Sequence, residues 1–471
     1  MPPTATVNSS TVNLVKTIVG AGLLAIPYVF RNSGILVGIL LTLMAAVASW
    51  FGLFALAKCS KTMINPRNSS FFTVCMMTNA QLSVFSDSAM IIQCFGVCIS
   101  YLVLIGDLFP TIFGGSRYYW IISSALIIVP LCLLKNMNSL RYSSILGLFA
   151  LAYLTLLVLS NFIHEFLLNE DYNLTRGDIY WLHIYNTKGL IGTFSIIIFA
   201  FTGSMNLFSI INELEENSMK NINTVITRSI GISTFLFLLV GISGYLTFGS
   251  DTTGNVMLNY DPSLMFVVIG KFCLGSMVVL SFPLLFHPLR IAVNNIVVYY
   301  QLQHKKDLVF EPEFEPPQST DSRPISLAIN DEDNQSLLDE DDNIGSGNEI
   351  LDETVSLLKK TKEESYDVPF PNIRFLLITF GLLSSMYTIA IKVKSFALVL
   401  AIVGATGSTS ISFILPGIFG YNLIGSNSLA IGEMINSKDK FYKKCCLWLV
   451  VFGLAVTFLS LYLIVVDGSS Q

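Results

Sequence analysis

The sequence predicts an all-α membrane protein with about eleven transmembrane helices. Three observations predict it. The 471 residues are 53% hydrophobic and only 13% charged, with mean hydropathy +0.65, whereas soluble proteins are about one-quarter charged. Apolar runs long enough for a bilayer core, about 20 residues in a helix, recur along the chain. Between most of them lie short loops carrying Lys and Arg, the signature of alternating sides.

The spans are expected near 12–30, 34–57, 89–113, 118–134, 143–166, 189–212, 226–248, 264–299, 372–391, 395–420 and 445–466. The first follows an arm of about eleven polar residues and is too long for a signal-peptide core, so it is read as a mature span. The eighth is longer than a bilayer needs and is expected to run past it. A tail over 467–471 closes the chain.

With the N-terminus in the cytosol, the cytosolic short loops hold eleven Lys and Arg, among them Lys58, Arg67, Arg228 and Lys438–Lys444, against six on the other side. That bias sets the orientation. An odd span count then places the C-terminal tail in the lumen.

Residues 301–370 break the pattern. They contain 18 Asp/Glu and 6 Lys/Arg, for a charge of −12. Low hydrophobicity with high charge predicts a disordered cytosolic loop. Asp333-Asn-Gln-Ser-Leu337-Leu338 and Glu353-Thr-Val-Ser-Leu357-Leu358 each set an acidic residue before a Leu-Leu pair. Both resemble the acidic dileucine signal read by sorting adaptor complexes; the other reading is a solvated charge run with incidental leucines.

Asn173-Leu-Thr175 is a glycosylation sequon in the longest loop on the lumenal side. The eight cysteines form no CxxC pair. Cys94 and Cys98 share one face of an apolar helix and read as core packing. Cys445-Cys446, where a basic loop enters a span, is a setting for reversible palmitoylation or two ordinary interfacial cysteines.

Two spans carry their own interruptions. The first reads NLVKTIVGAGLLAIP, with Gly20-Ala21-Gly22 and Pro27; the sixth reads GTFSIIIFAFTGSMNLFSIINEL, with Thr202-Gly203-Ser204 near its centre and Asn206 just beyond. Unwound backbone is tolerated at membrane depth only where it is buried in protein or lines a cavity. Interruptions at corresponding places in two halves are a pointer to a transporter binding site. A broken helix exposes free N–H groups at one end and free carbonyls at the other, and a zwitterionic amino acid needs both. The competing reading is close helix packing through small residues.

These stretches resemble the amino acid/auxin permease family of the amino acid–polyamine–organocation superfamily. LVKTIVGAGLLAIPYVF is similar to its first-helix signature and FAFTGSMNLFSIINEL to its sixth; GYLTFGSDTTGNVMLNY and FPLLFHPLR resemble its seventh and eighth. Within it, the chain resembles the fungal vacuolar amino acid transporters. The resemblance implies a LeuT-like fold, five helices repeated in inverted topology plus one more. It implies an amino acid held between helices one and six, with Gly20, Ala21 and Gly22 at its carboxylate. Thr202, Gly203 and Ser204 would supply the second unwound backbone, and Asn206 a side-chain hydrogen bond. Many relatives carry a bulkier or polar pair where this chain has Gly203-Ser204.

Three ionisable residues in spans are candidates for ion coupling, since intramembrane charge is costly. Lys16 lies about one turn before Gly20, where sodium-coupled members tend to carry a neutral polar residue; its ammonium would take a sodium ion's place. Its other reading is a lysine snorkelling to water. His287 titrates in the range suited to a proton relay, or packs beside Pro288. Asp107 is read as a proton acceptor or as a solvated interfacial acid. Lys271 is expected to snorkel, and Glu213 with Arg228 is a possible cytosolic gate pair.

The expected function is proton-coupled export of amino acids from a vacuole or lysosome to the cytosol, by a monomer with no cofactor beyond the coupling proton. Its partners are the substrate, the lipid membrane and a sorting adaptor, with no nucleic acid. The alternative is a transporter-like sensor signalling through the acidic loop. A channel would need a continuous lined pore. No motif supports an enzyme.

Overall fold

A computed structural model describes residues 5–63, 65–79, 81–134, 141–168, 177–182, 187–309, 370–426 and 434–468. Apart from a single isolated β-bridge, the regular structure among them is helical. The chain divides into two compact units, residues 1–293 with 375–471, and residues 294–374.

The first span is two helices. Helix α1 (Val7–Ile18) starts at Thr6, whose hydroxyl accepts from the Ser9 N–H at 3.2 Å. A 3-10 turn (Ala21–Ala25) then leads into α2 (Ile26–Ser33), and the two halves meet at 47°. Gly34, at φ 75°, turns the chain sharply into α3 (Ile35–Lys61), a conformation that glycine adopts without steric cost. A short helix, α4 (Phe71–Thr78), is closed by a capping box between Ser70 and Thr73. It precedes α5 (Leu82–Phe113), α6 (Arg117–Leu133) and α7 (Arg141–Leu168).

The sixth span is also broken, into α8 (Thr187–Ala200) and α9 (Ser204–Glu213). Helices α10 (Met219–Phe248), α11 (Met265–Val309) and α12 (Asn372–Lys392) follow. The tenth stretch begins as α13 (Phe396–Val403) and passes through two π-helical turns, Gly404–Ser408 and Ser410–Ile414. It ends as α14 (Leu415–Leu423). Helix α15 (Ser437–Gly468) is last.

Each of the eleven apolar stretches falls on helix. Among the described residues, nine helical stretches have the length and apolarity of a membrane span, α8–α9 and α13–α14 each counted as one, and the bent α1–α2 pair makes ten. The sequence expectation was about eleven. The difference is α6: with 17 residues at 1.5 Å each it reaches only about 26 Å, short of a hydrocarbon core of about 30 Å. The expectation that the eighth stretch runs long agrees with α11, which continues to Val309.

Candidate functional site

The two broken spans lie side by side and run antiparallel. At one end the Ala5 N–H donates to the Glu213 carbonyl (3.1 Å) and the Glu215 N–H to the Ala5 carbonyl (3.0 Å), the bridge between Ala5 and Leu214. At the other, the Ile35 and Leu36 N–H groups donate to the carbonyls of Tyr180 and Trp181, both at 3.1 Å. The start of span one therefore meets the end of span six, and its end meets the segment before span six.

The helical ladder fails at both breaks. Val19 still donates to Val15, at 2.7 Å, but Gly20 turns back onto the Ile18 carbonyl with φ −108° and ψ −150°. Ala21 and Gly22 open the 3-10 turn, so their N–H groups have no partner within it. In span six, Phe201 donates to Ile197 and Thr202 to Phe199, and Gly203 joins the halves at φ −110°. Helix α9 starts afresh at Ser204. Each break thus offers carbonyls from the half behind it and N–H groups from the half ahead, with opposite partial charges.

Close approach across the pair is reciprocal. A methyl group on Gly22 would sit 3.1 Å from the Cα of Ala200, the last residue of α8. One on Gly203 would sit 2.8 Å from Ile18, the last residue of α1. Each break packs against the end of its partner's first half. Gly20 differs: nothing lies within 4 Å of where its Cβ would be, and it is half-buried. Space is open there. On the same α1 and α9 side, Asn13, Asn206 and Ser209 are exposed and Lys16 and Thr17 half-buried.

The predicted substrate residues divide on this geometry. Gly20 and Asn206 border accessible space. Ala21, Gly22, Thr202, Gly203 and Ser204 are buried. The Thr202 hydroxyl is spent on the Ile198 carbonyl (3.0 Å), and Ser204 Oγ lies 3.5 Å from Ser412 Oγ. Asn206 Nδ2 donates to Thr17 Oγ1 at 3.2 Å.

The three ion-coupling candidates occupy different places. Lys16 lays its stem toward α7 and α11, beside Gly147 and Met277. His287 Nδ1 accepts from the Arg290 guanidinium at 3.3 Å, which puts the ring proton on Nε2. Asp107 pairs with Arg117 at 3.8 Å, and Arg117 also donates to the Val393 carbonyl at 2.7 Å. Asp107 is thereby tied to a clamp joining α5, α6 and the turn after α12.

Other expectations meet different outcomes. Lys271 does not snorkel: it is 1% exposed, with Nζ 3.4 Å from the Tyr260 carbonyl. Arg228 pairs with Asn8 Oδ1 at 3.2 Å, while Glu213 bonds through its backbone to Ala5. Cys94 and Cys98 are buried; Cys446 is buried against Gly420, leaving Cys445 the half-buried one of its pair. Asn173 and Leu337, Leu338, Leu357 and Leu358 lie outside the described residues.

Two features escaped the sequence reading. One is Arg290, 1% exposed, which donates to the Cys132 carbonyl (2.9 Å) and Thr379 Oγ1 (3.3 Å) and stacks on Phe375 at 3.9 Å. The other is the π-helical stretch of span ten, where Gly404 presses on the Ser195 carbonyl, Gly407 on the backbone of Gln93, and Ser408 donates to Gln93 Oε1 at 2.8 Å. The run of small residues GATGSTS was its only signal; π-turns cluster at functional sites.

A family model described as transmembrane amino acid transporter protein matches residues 3–459. The chain belongs to this family. The resemblance to amino acid/auxin permeases read from the first, sixth, seventh and eighth spans is therefore correct. Vacuolar amino acid transporter 7 of Saccharomyces cerevisiae is 56% identical, over 100% of both chains. Vacuolar amino acid transporter 5 of the same yeast is 32% identical over 99% of each. The human sodium-coupled neutral amino acid transporter 7 is 26% identical over 61% of this chain and 64% of its own.

Proposed function

We propose that this chain is a secondary active transporter that carries amino acids across the vacuolar or lysosomal membrane by alternating access. The observation that carries the reading is the reciprocal pair of breaks in antiparallel neighbours, with open space beside Gly20. Free N–H groups at Ala21 and Gly22 suit a carboxylate, and the carbonyl ends of α1 and α8 suit an ammonium. The reciprocity is what an inverted repeat of spans one to five on six to ten would give, with an eleventh span added and α6 as the fourth. Membership of an amino acid transporter family supports the substrate class, and the vacuolar relatives support the membrane.

Coupling is to protons, with flow from an acidic lumen to the cytosol. Lys16 supplies a fixed positive charge one turn from the break, where the sodium-coupled pattern has a neutral residue. The test is uptake of a labelled amino acid panel into vacuolar vesicles, with and without a pH gradient imposed acid outside, which drives the symporter in reverse. At least one amino acid should accumulate in a gradient-dependent way, and Lys16→Asn should change that dependence. Uptake of none overturns the carrier; uptake indifferent to the gradient overturns the proton.

A further inference from the structure

One side-chain bond near Gly20 joins the two broken spans directly. Thr17 lies in the last turn of α1, three residues before Gly20, and Asn206 lies in the first turn of α9. Asn206 Nδ2 and Thr17 Oγ1 are 3.2 Å apart. Thr17 Oγ1 is also 3.0 Å from the Asn13 carbonyl, to which it donates.

A hydroxyl has a single proton. The Thr17 proton is committed to Asn13, since a carbonyl can only accept. Toward Asn206 the hydroxyl therefore has only a lone pair to offer. A flipped carboxamide would set Oδ1 against that oxygen, so that the single proton could serve Oδ1 or the Asn13 carbonyl but not both, one bond where the observed orientation makes two. The amide is held with Nδ2 toward Thr17, and its carbonyl is left over. Asn206 is exposed, and no protein group among the described residues is bonded to Oδ1.

We propose that Thr17 is a positioning residue that fixes the Asn206 carboxamide so that Oδ1 accepts a hydrogen bond from the α-ammonium of the bound amino acid. This rests on the carrier reading above. An ammonium has three donors and no acceptor, so it needs oxygens arranged around it. The carbonyl ends of α1 and α8 give two directions and Asn206 Oδ1 a third. Asn13, Thr17 and Asn206 are all neutral, so the selection of an ammonium here comes from oriented dipoles. A free amide, able to rotate, would serve a hydroxyl in that position as well as an ammonium. Fixing it confers discrimination.

The experiment compares unlabelled L-alanine with L-lactate, the same skeleton with a hydroxyl replacing the ammonium. Both compete in vesicles against the labelled amino acid of largest uptake in the panel. The wild-type chain should prefer L-alanine strongly. Thr17→Val, which keeps the shape and loses the hydroxyl, should reduce that preference by about tenfold, the scale of one hydrogen bond to a charged group. Thr17→Ser should keep it. A preference unchanged in Thr17→Val with uptake retained overturns the proposal. Asn206→Asp and Asn206→Leu decide independently of how Thr17→Val folds: the first should preserve the preference and the second abolish it. Equal preference in both overturns the role of Oδ1. Failure of the wild-type chain to take up any amino acid sinks the carrier reading instead.

Discussion

The two ends of the broken spans are held by different forces. At the α2 and α8 end the contact is apolar and dense. Ile26, Pro27, Val29 and Phe30 are buried, as are the residues of α8 from Phe194 to Ala200. Glycines let the neighbours close in: Gly38 and Gly241 meet the Phe30 ring, and Gly244 meets Pro27. At the α1 and α9 end a buried apolar face, with Leu14, Leu207 and Ile211, is ringed by polar bonds. Arg67 donates to the Leu214 carbonyl (3.1 Å) and the Glu215 carbonyl (2.7 Å), and Asn212 Nδ2 to the Ser69 carbonyl (2.8 Å). Lys61 reaches the Asn217 carbonyl, and Ser229 Oγ donates to the Thr11 carbonyl at 3.1 Å.

The difference teaches where motion belongs. Close-packed side chains resist small displacements, because each lost contact leaves a void. Hydrogen bonds at a wet surface exchange with water at a net cost of only about 0.5–1.5 kcal/mol each. On the carrier reading proposed above, the polar end is the one expected to release, and the packed end the one expected to stay shut while it does.

The largest expected effect comes from breaking the packed end. A Cβ at Gly241 would lie 2.6 Å from the Phe30 ring and 2.7 Å from Ile26. Gly241→Leu should cost at least about 1–3 kcal/mol in overpacking. It should appear as loss of protein from the membrane, measured by immunoblot of purified vacuoles. Normal abundance would mean that this end yields more easily than its packing implies.

Loosening the polar end should leave folding intact. Arg67→Ala removes two charge-assisted hydrogen bonds, worth about 1.5–3 kcal/mol each at most. It should speed labelling of a cysteine placed at Ser10, buried on α1 beside α9, by an impermeant thiol reagent, by about tenfold. The background carries Ser at the half-buried Cys273 and Cys445. An unchanged rate would detach Arg67 from gating.

The smallest structural effect sharpens the comparison at its centre. Gly20→Ala places a methyl in open space, so abundance should not change, yet the room beside the break shrinks. Uptake should fall for larger amino acids before smaller ones. Gly22→Ala, at 3.1 Å from Ala200, should instead lower abundance for all. Identical behaviour of the two variants would deny that one glycine faces a site and the other a helix.

The breaks were legible because glycine and Thr-Gly-Ser stand out against apolar runs that otherwise need no interruption. The span positions were legible for the same reason, since bilayer thickness dictates length. What was hidden depends on register between helices. Arg228 looked paired with Glu213 because both flank one loop; in the fold Arg228 meets Asn8, far away in sequence. Lys271 looked like a snorkelling lysine because its neighbours are apolar, but the turn at Tyr260 covers it and supplies a carbonyl. Arg290 was passed over beside His287, although its bonds to Cys132 and Thr379 join three helices. The π-turns of span ten were invisible because their residues fit an ordinary helix; they follow from Gly404 and Gly407 seating against α8 and α5.

The bridge between Ala5 and Leu214 also bears on biosynthesis. The fifth residue leaves the ribosome long before its partner exists. At about 5–20 residues per second, the intervening stretch takes roughly 10–40 s to synthesise. During that interval the segment around Ala5 waits unpaired while the spans between it and Leu214 are made.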